Sequence, residues 1–356
     1  RQDRKLSVDP AQTPKKRVPR NANALFNLGH KDFRVLFHDG RLSIDNIYGN
    51  GFNTPAEEWF PSGLTSIAAA QAMFPVTSET EMAGSAEENE IAASRRERID
   101  QTWPVIAKRI WANGTYVEMF KQTYEDVDQA GDITMVHIAN AIGDFVISEF
   151  RSTNRPFDRY LAGDETALTA QQTAGLDVFF GKANCASCHT GPLLTDQEFY
   201  ALVLPPLGPG RIRSFDPMPR DVGRMGETDL IKDAYRFRTP SLRNVARTGP
   251  YGHNGSYATL EGIIRHHADP LGSLEKWDRS QVIMPVSARF APTDFVIWDD
   301  HREMTRLKSR LDIKPMVLSD DEIASLVSFM HALTDETSIR GRLGKPKHVP
   351  RGLPVD

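Results

Sequence analysis

Residues 185–189 read Cys-Ala-Ser-Cys-His and contain both cysteines of this 356-residue chain. A C-x-x-C-H run places two thiols on one short turn and hands the next imidazole to the same side. Two thioethers to the vinyl groups of a porphyrin, with the following His as proximal iron ligand, use all three residues. Covalent attachment of a haem through Cys185 and Cys188, with His189 on the iron, is therefore expected, and the fold must wrap a large flat group. A thioredoxin-type redox pair needs a βαβ neighbourhood, whereas residues 169–180 (TAQQTAGLDVFF) read as a helix that Gly181 follows. A zinc site needs about four ligands, and no second Cys pair or H-x₃₋₅-H completes one. A disulfide between residues three apart closes too small a loop to stabilise much.

The length suits one large or two medium domains with a buried core. Hydrophobic residues make up 40% and charged residues 25%, ordinary values for a globular chain. A net charge of −4 gives no general case for nucleic acid or an anionic membrane. No apolar run approaches the roughly 18 residues that a membrane-spanning helix needs. The chain opens Arg-Gln-Asp-Arg-Lys, without Met or signal peptide. Since haem c is attached outside the cytoplasm, we expect a removed signal and a periplasmic, extracytoplasmic location.

Along the chain, residues 1–20 read as a basic, proline-containing arm, and 21–60 are rich in turn residues. Residues 88–118 carry Ile99, Trp103, Ile106 and Ile110 at helical spacing, with Pro104 and Gly114 expected to interrupt them. The strongest amphipathic helix spans Thr134 to Phe150. Further helices open at Thr259 and at Ser319, where Ser-Asp-Asp-Glu forms a capping box and the helix runs to about Leu333. Residues 197–240 are loop-rich, and alternation of the strand type is scarce. The chain thus reads as mostly α with long irregular loops. We divide it into an N-terminal domain (1–163), a C-terminal haem domain (164–335) and a surface tail (336–356).

A haem c with one protein ligand is reactive, and one with two is an electron carrier. The second ligand is open, from these residues alone, among nine further His, ten Met and eight Tyr. The segments 175–188 (GLDVFFGKANCASC) and 239–255 (TPSLRNVARTGPYGHNG), with the following helix, resemble the second-haem half of bacterial dihaem cytochrome c peroxidases and the MauG proteins of methylamine utilisation. The resemblance implies two cytochrome c-like haem domains, the N-terminal one incomplete here. It also implies a distal ligand on the helix after the Y-x-H-x-G loop, and counting from Pro240 that residue is His267. His266 would point about 100° away on the helix, and an ordinary core or surface histidine is the better reading of it. Met316 is the next candidate. Imidazole on both sides implies a low-spin iron with a lower potential than His/Met ligation gives.

The resemblance continues upstream. Residues 20–27 (RNANALFN), 36–41 (LFHDGR), 71–75 (QAMFP) and 81–84 (EMAG) are similar to segments that line the peroxide pocket of the family's first haem. By that resemblance Glu81 carries the proton for O–O cleavage, a step a positioned carboxylate can perform, and Gln71 assists. A lone Glu would otherwise be a surface acid. The family's first C-x-x-C-H precedes the R-N-A-P segment, and none occurs here, so we expect the first haem on an upstream or separate segment. His38 stands where the family has an inter-haem Trp, which puts that electron wire in doubt; a histidine there could instead approach an iron. An insertion between Arg41 and Gln71 also sets this chain apart.

Relatives hold Ca²⁺ between their domains. By position its ligands here would be the Asn21 side chain and the carbonyls of Thr248 and Pro250, oxygen donors suited to a hard cation. Asn21 is otherwise a turn residue. Arg243 and Tyr251 are candidates for haem contacts, although a buried Arg–carboxylate pair explains the former equally well. The implied activity is peroxide reduction at a first haem, with electrons relayed through the haem of this chain. They would come from a small cytochrome or copper protein, or from a protein substrate. Five tryptophans (Trp59, Trp103, Trp111, Trp277 and Trp298) could act as hopping stations, though such residues more often anchor cores. The competing readings are a monohaem electron-transfer subunit of a larger complex and, more weakly, a haem-based sensor. Haem stoichiometry separates them.

Overall fold

The computed structural model describes residues 17–350 except 88, 212–219, 345 and 347. The expected arm over 1–16 and the end of the tail lie outside the described residues.

Three short antiparallel strands, β1 (Val35–Leu36), β2 (Leu42–Ile44) and β3 (Phe52–Asn53), open the N-terminal half. Helices α1 (Ile67–Ala72), α2 (Glu90–Ser94), α3 (Thr102–Trp111), α4 (Gly114–Thr123), α5 (Met135–Glu149) and α6 (Pro156–Leu161) follow. Pro104 falls in the first turn of α3, where a missing N–H costs nothing, so it sits inside a helix that it was expected to interrupt. Thr134 is the N-cap residue of α5, and the helix spans the stretch the sequence marked as amphipathic. The core of this half runs from Leu28 to Ala139 and takes in Leu193 from beyond. Alanines on α1 let α5 approach so closely that a Cβ on Gly143 would lie 2.7 Å from the Ala69 nitrogen.

The C-terminal half holds α7 (Ala170–Phe180), β4 (Phe199–Tyr200), α8 (Met225–Thr228), β5 (Phe237–Arg238), α9 (Leu260–Ala268), α10 (Pro270–Lys276), α11 (His301–Lys308), α12 (Asp320–Ala332) and α13 (Glu336–Arg340). Its core joins Phe157 and Phe179 to Leu326, Phe329 and Leu333. α7 and α12 cross at Gly175, where a Cβ would lie 2.6 Å from the Ser325 carbonyl carbon and 2.8 Å from Phe329 Cβ. Only glycine permits that approach, and it fixes the helix from which residues 185–189 emerge.

The halves are stitched together through polar groups. Arg20 forms a bidentate pair with Asp221 and a third bond to Asp39, which is fully buried. The Gln197 side chain accepts from the backbone N–H groups of Arg34 and Val35. The Glu149 carboxylate, at the end of α5, accepts from the N–H groups of Arg342 and Leu343, so residues 342–343 lie against the first half. No helix among the described residues is long and apolar enough to cross a membrane.

Candidate haem site

After α7, Asn184 adopts a left-handed conformation and Cys185–Ser187 form one 3₁₀ turn. His189 N–H donates to the Cys185 carbonyl at 2.9 Å, which brings the imidazole round to the side of both sulfurs. Cys185, Cys188 and His189 all line a cavity of about 710 Å³. The two cysteines are not joined to one another. Burial pushes the Cys185 thiol up to about 11, as suits a sulfur meant for a covalent bond to carbon rather than for free thiolate chemistry.

His267, on α9, lines the same cavity. Its Nδ1 lies 2.8 Å from the Ile263 carbonyl, one turn back on the helix, and Nδ1 of His189 lies 3.1 Å from the Leu194 carbonyl. A carbonyl can only accept, so each Nδ1 carries the proton and each Nε2 keeps its lone pair for a metal. Burial, with His267 nearby, pushes His189 down to about 4, and burial lowers His267 as well. Both imidazoles are therefore neutral and able to ligate at pH 7. His266 is fully buried, with Nδ1 2.8 Å from the Tyr257 hydroxyl and Nε2 2.7 Å from the Leu202 carbonyl. Both of its nitrogens are occupied, and it is a core residue. Met316 also lines the cavity.

At the end of the cavity nearest the N-terminal half stand Asn21, His38, Arg238 and His253. Arg238 bonds only the carbonyls of Phe37 and Thr239, and no carboxylate among the described residues pairs with it. Burial lowers its pKa to about 10. His253 stacks on Phe237 with ring centroids 3.5 Å apart, and its buried Nδ1 has no hydrogen-bond partner. An unpaired buried cation and an orphaned ring nitrogen are costly unless a bound group satisfies them. Haem carries two propionate carboxylates, and this end of the cavity suits them. Arg238 and His253 were not recognised as site residues from the sequence.

Arg243 lines the cavity, but its guanidinium is taken up by the carbonyls of Pro192 and Ser152 and, at 3.4 Å, by Asp158. It is held by the protein itself, in line with the ion-pair reading. Tyr251 faces the cavity, and burial raises its pKa. The Asn21 amide donates to the carbonyls of Pro250 and Gly252 at 2.8 and 3.0 Å. Asn21 and Pro250 are thus brought together, and Thr248, whose carbonyl was the other expected donor, lines the same cavity. A cation there would require the amide to present its oxygen instead. His38 lies 3.1 Å from the Asn21 carbonyl, and burial, then His253, pushes it down to about 3. Gln71 and Glu81 do not line the cavity. Gln71 is on α1, and Glu81 is exposed in the turn Glu79–Ala83, close enough to act electrostatically on Arg41.

Paired cysteines, two neutral imidazoles lining one cavity and an unpaired arginine at its end are the donor set of a c-type haem protein. The family model for di-haem cytochrome c peroxidase matches residues 2–166. The chain is 30% identical over 284 residues to cytochrome c peroxidase Ccp of Escherichia coli strain K12, covering 72% of this chain and 55% of that protein. It is 29% identical over 212 residues to MauG of Methylorubrum extorquens, covering 60% and 51%. The cytochrome-c peroxidase IdrP1 of Denitromonas iodatirespirans is 42% identical over 132 residues, covering 32% and 35%. This chain belongs to the dihaem cytochrome c peroxidase/MauG family. It spans from about a third to about half of these relatives' lengths. A solved MauG-like protein associated with microbial copper homeostasis superposes with a TM-score of 0.52 at 25% identity, covering 94% of this chain and 96% of that one. The dihaem peroxidase BthA of Burkholderia thailandensis shares the fold, with a TM-score of 0.53 at 20% identity, covering 92% and 74%.

Proposed function

We propose that this chain holds one haem c between His189 and His267 and serves as the electron-transfer half of a periplasmic peroxidase. The observation that carries this is the pair of Nδ1-anchored imidazoles lining one cavity. Both imidazoles present an Nε2 with a free lone pair, so together they would hold the iron and leave peroxide no ligand position there. Haem c, when bound there, supplies one-electron chemistry. Cys185 and Cys188 would tether the group, the carbonyls of Leu194 and Ile263 hold the imidazoles of His189 and His267 in place, and Arg238 with His253 would receive the propionates.

Peroxide is reduced elsewhere: H₂O₂ takes two electrons and two protons and leaves as two waters. A second covalent haem requires cysteines outside these 356 residues, on a separate or upstream segment. Glu81 moves a proton at that site and Gln71 assists. Both belong to the half that the family model matches. His38 lies between the two regions, in the place of the family's inter-haem Trp. The donor is a small redox protein or the side chains of a protein substrate. Ca²⁺ at Asn21, Thr248 and Pro250 would brace the junction between the halves. Two imidazoles for one group also favour a second reading, a monohaem carrier in a larger complex. Glu81→Gln decides between them. In the assembled enzyme it should leave the haem spectrum unchanged and slow peroxide turnover by about 10²–10⁴, the usual range for a general acid–base group. An unaltered rate would remove Glu81 from the mechanism. One haem with no peroxide-induced spectral change would favour the carrier.

A further inference from the structure

Residues 42–94 contain eight acidic side chains and no Lys, Arg or His, in a chain that carries 43 Lys and Arg in all. Leu42, Phe52, Ala56 and Phe60 fill the core of the first half. Ile44, Ile47, Tyr48 and Trp59 stay outside it, with Ile47 65% and Trp59 47% exposed. The Asn50 side-chain amide donates to the carbonyls of Glu57 and Phe60, both at 3.1 Å, which lays the turn over 46–51 against the Trp59 segment. The exposed carboxylates of Asp45, Glu57 and Glu58 join no ion pair among the described residues. Arg98, the cation over the Trp59 ring, gives its Nε and Nη2 to Asp100. Ile44 and Asp45 also line a cleft of about 250 Å³, together with Asp196, Glu198 and Phe199. The Asp196 N–H donates to the Cys188 carbonyl at 2.8 Å, so one residue separates this cleft from the cysteine turn.

We propose that this face, apolar at its centre and acidic at its rim, is the docking surface for a small basic redox protein whose own metal edge is ringed by lysines. That the partner is a redox protein rests on reading the neighbouring cavity as a haem site; the match of charge and apolar surface does not. Exposed apolar patches rimmed by polar groups mark interaction sites. Electron-transfer encounters use the smaller ones, burying less than about 1,200 Å². The sign of the rim selects the partner. A second copy of this chain would set carboxylates against carboxylates, and an anionic membrane surface would repel the same groups. A lysine-ringed protein is instead steered in by them, and docking here sets it beside the Cys188 turn.

The test is isothermal titration calorimetry of the haem-loaded protein with a basic cytochrome c whose haem edge is ringed by lysines. Affinity should fall about tenfold or more as salt rises from about 0.01 to 0.15 M, where the Debye length shrinks from about 30 to 8 Å. Joint replacement Asp45→Asn, Glu57→Gln and Glu58→Gln should weaken binding about tenfold at low salt, as three exposed charge pairs would. Ile47→Ser should weaken it about tenfold at both salt levels, because an apolar contact is not screened. All four side chains are exposed, so these variants keep the fold. Glu125→Gln with Asp128→Asn, exposed acids outside the patch, should leave affinity within about twofold. The cytochrome with its lysines acetylated, and so stripped of their charge, should not bind. No binding by the parent at low salt, parent-like affinity in either patch variant, an equal loss in the Glu125/Asp128 control, or unchanged binding of the acetylated cytochrome would overturn the proposal. A chain whose mass shows no haem would end the haem reading instead, so the two failures are told apart.

Discussion

Replacing Gly175 by Ala probes the contact on which the haem loop depends. The added Cβ would overlap the Ser325 carbonyl oxygen and lie 2.6 Å from its carbon and 2.8 Å from Phe329 Cβ. Ordinary van der Waals contact between carbons needs about 3.5–4.0 Å, so α7 and α12 must separate by roughly 1 Å. The nearest atoms are backbone, which no rotamer change can move aside. Overpacking in a tight core costs about 1–3 kcal/mol, and the upper half of that range applies here. For a domain of 150–250 residues each kcal/mol is worth roughly 2–4 °C, so Tm should fall by roughly 4–12 °C. Thermal unfolding of the holoprotein, followed by far-UV circular dichroism and by the Soret band, measures this. The two signals should shift together, because the cysteine loop springs from the end of α7. Gly114→Ala is the control, since its Cβ meets nothing within 4 Å and its φ is not positive, and it should hold or slightly raise Tm. A Gly175→Ala protein melting within a degree of the parent would refute the close crossing.

His267→Met should raise the midpoint potential by on the order of 100 mV, within the roughly 0.8 V that axial ligands span. An unchanged potential in a redox titration would discard His267 and turn attention to Met316. Burial holds His266 near 4, below its ordinary 6.5. The folded state thus resists its protonation, and the stability this residue contributes is complete above pH 6.5 and lost as pH falls towards 4. The loss is roughly 3 kcal/mol, since each tenfold weakening of proton affinity on folding is worth about 1.4 kcal/mol. His266→Gln should flatten that part of the pH dependence of urea midpoints, and equal slopes in both proteins would contradict it. Arg238→Gln should free a propionate to titrate near neutrality. The midpoint potential should then acquire a pH slope approaching about 59 mV per pH unit, the value for one proton and one electron; a flat profile in the variant would mean that Arg238 does not meet a propionate.

The parts legible from sequence were those governed by neighbours along the chain. Cys185, Cys188 and His189 declare themselves by spacing, and helices α5, α7 and α12 begin at the capping residues Thr134, Thr169 and Ser319. His267 followed from a count along a motif, and the structure sets it in one cavity with His189. Arg238 and His253 were missed because their significance is a lack of partners, which no linear pattern records. The signal available was an arginine two residues before Pro240 in a stretch otherwise suited to burial. Pro104 misled because a proline is tolerated in a first turn and disruptive in a later one, and the start of α3 carries no side-chain cap to mark it. Glu81 and Gln71 sit apart from the cavity because the residues resembling a peroxide pocket belong to the other core.

The clasp between Glu149 and residues 342–343 bears on how such a redox protein keeps its wiring in register. A carboxylate at the tip of α5 grips backbone from beyond α13, so the first half and residues 342–343 are moored at a point outside the lining of the cavity. Together with the Arg20 knot, this gives the two halves separated anchorages, and a body pinned at two places cannot swing about either. Distances across the junction, on which tunnelling rates depend steeply, would thereby stay constant for any electron that crosses it.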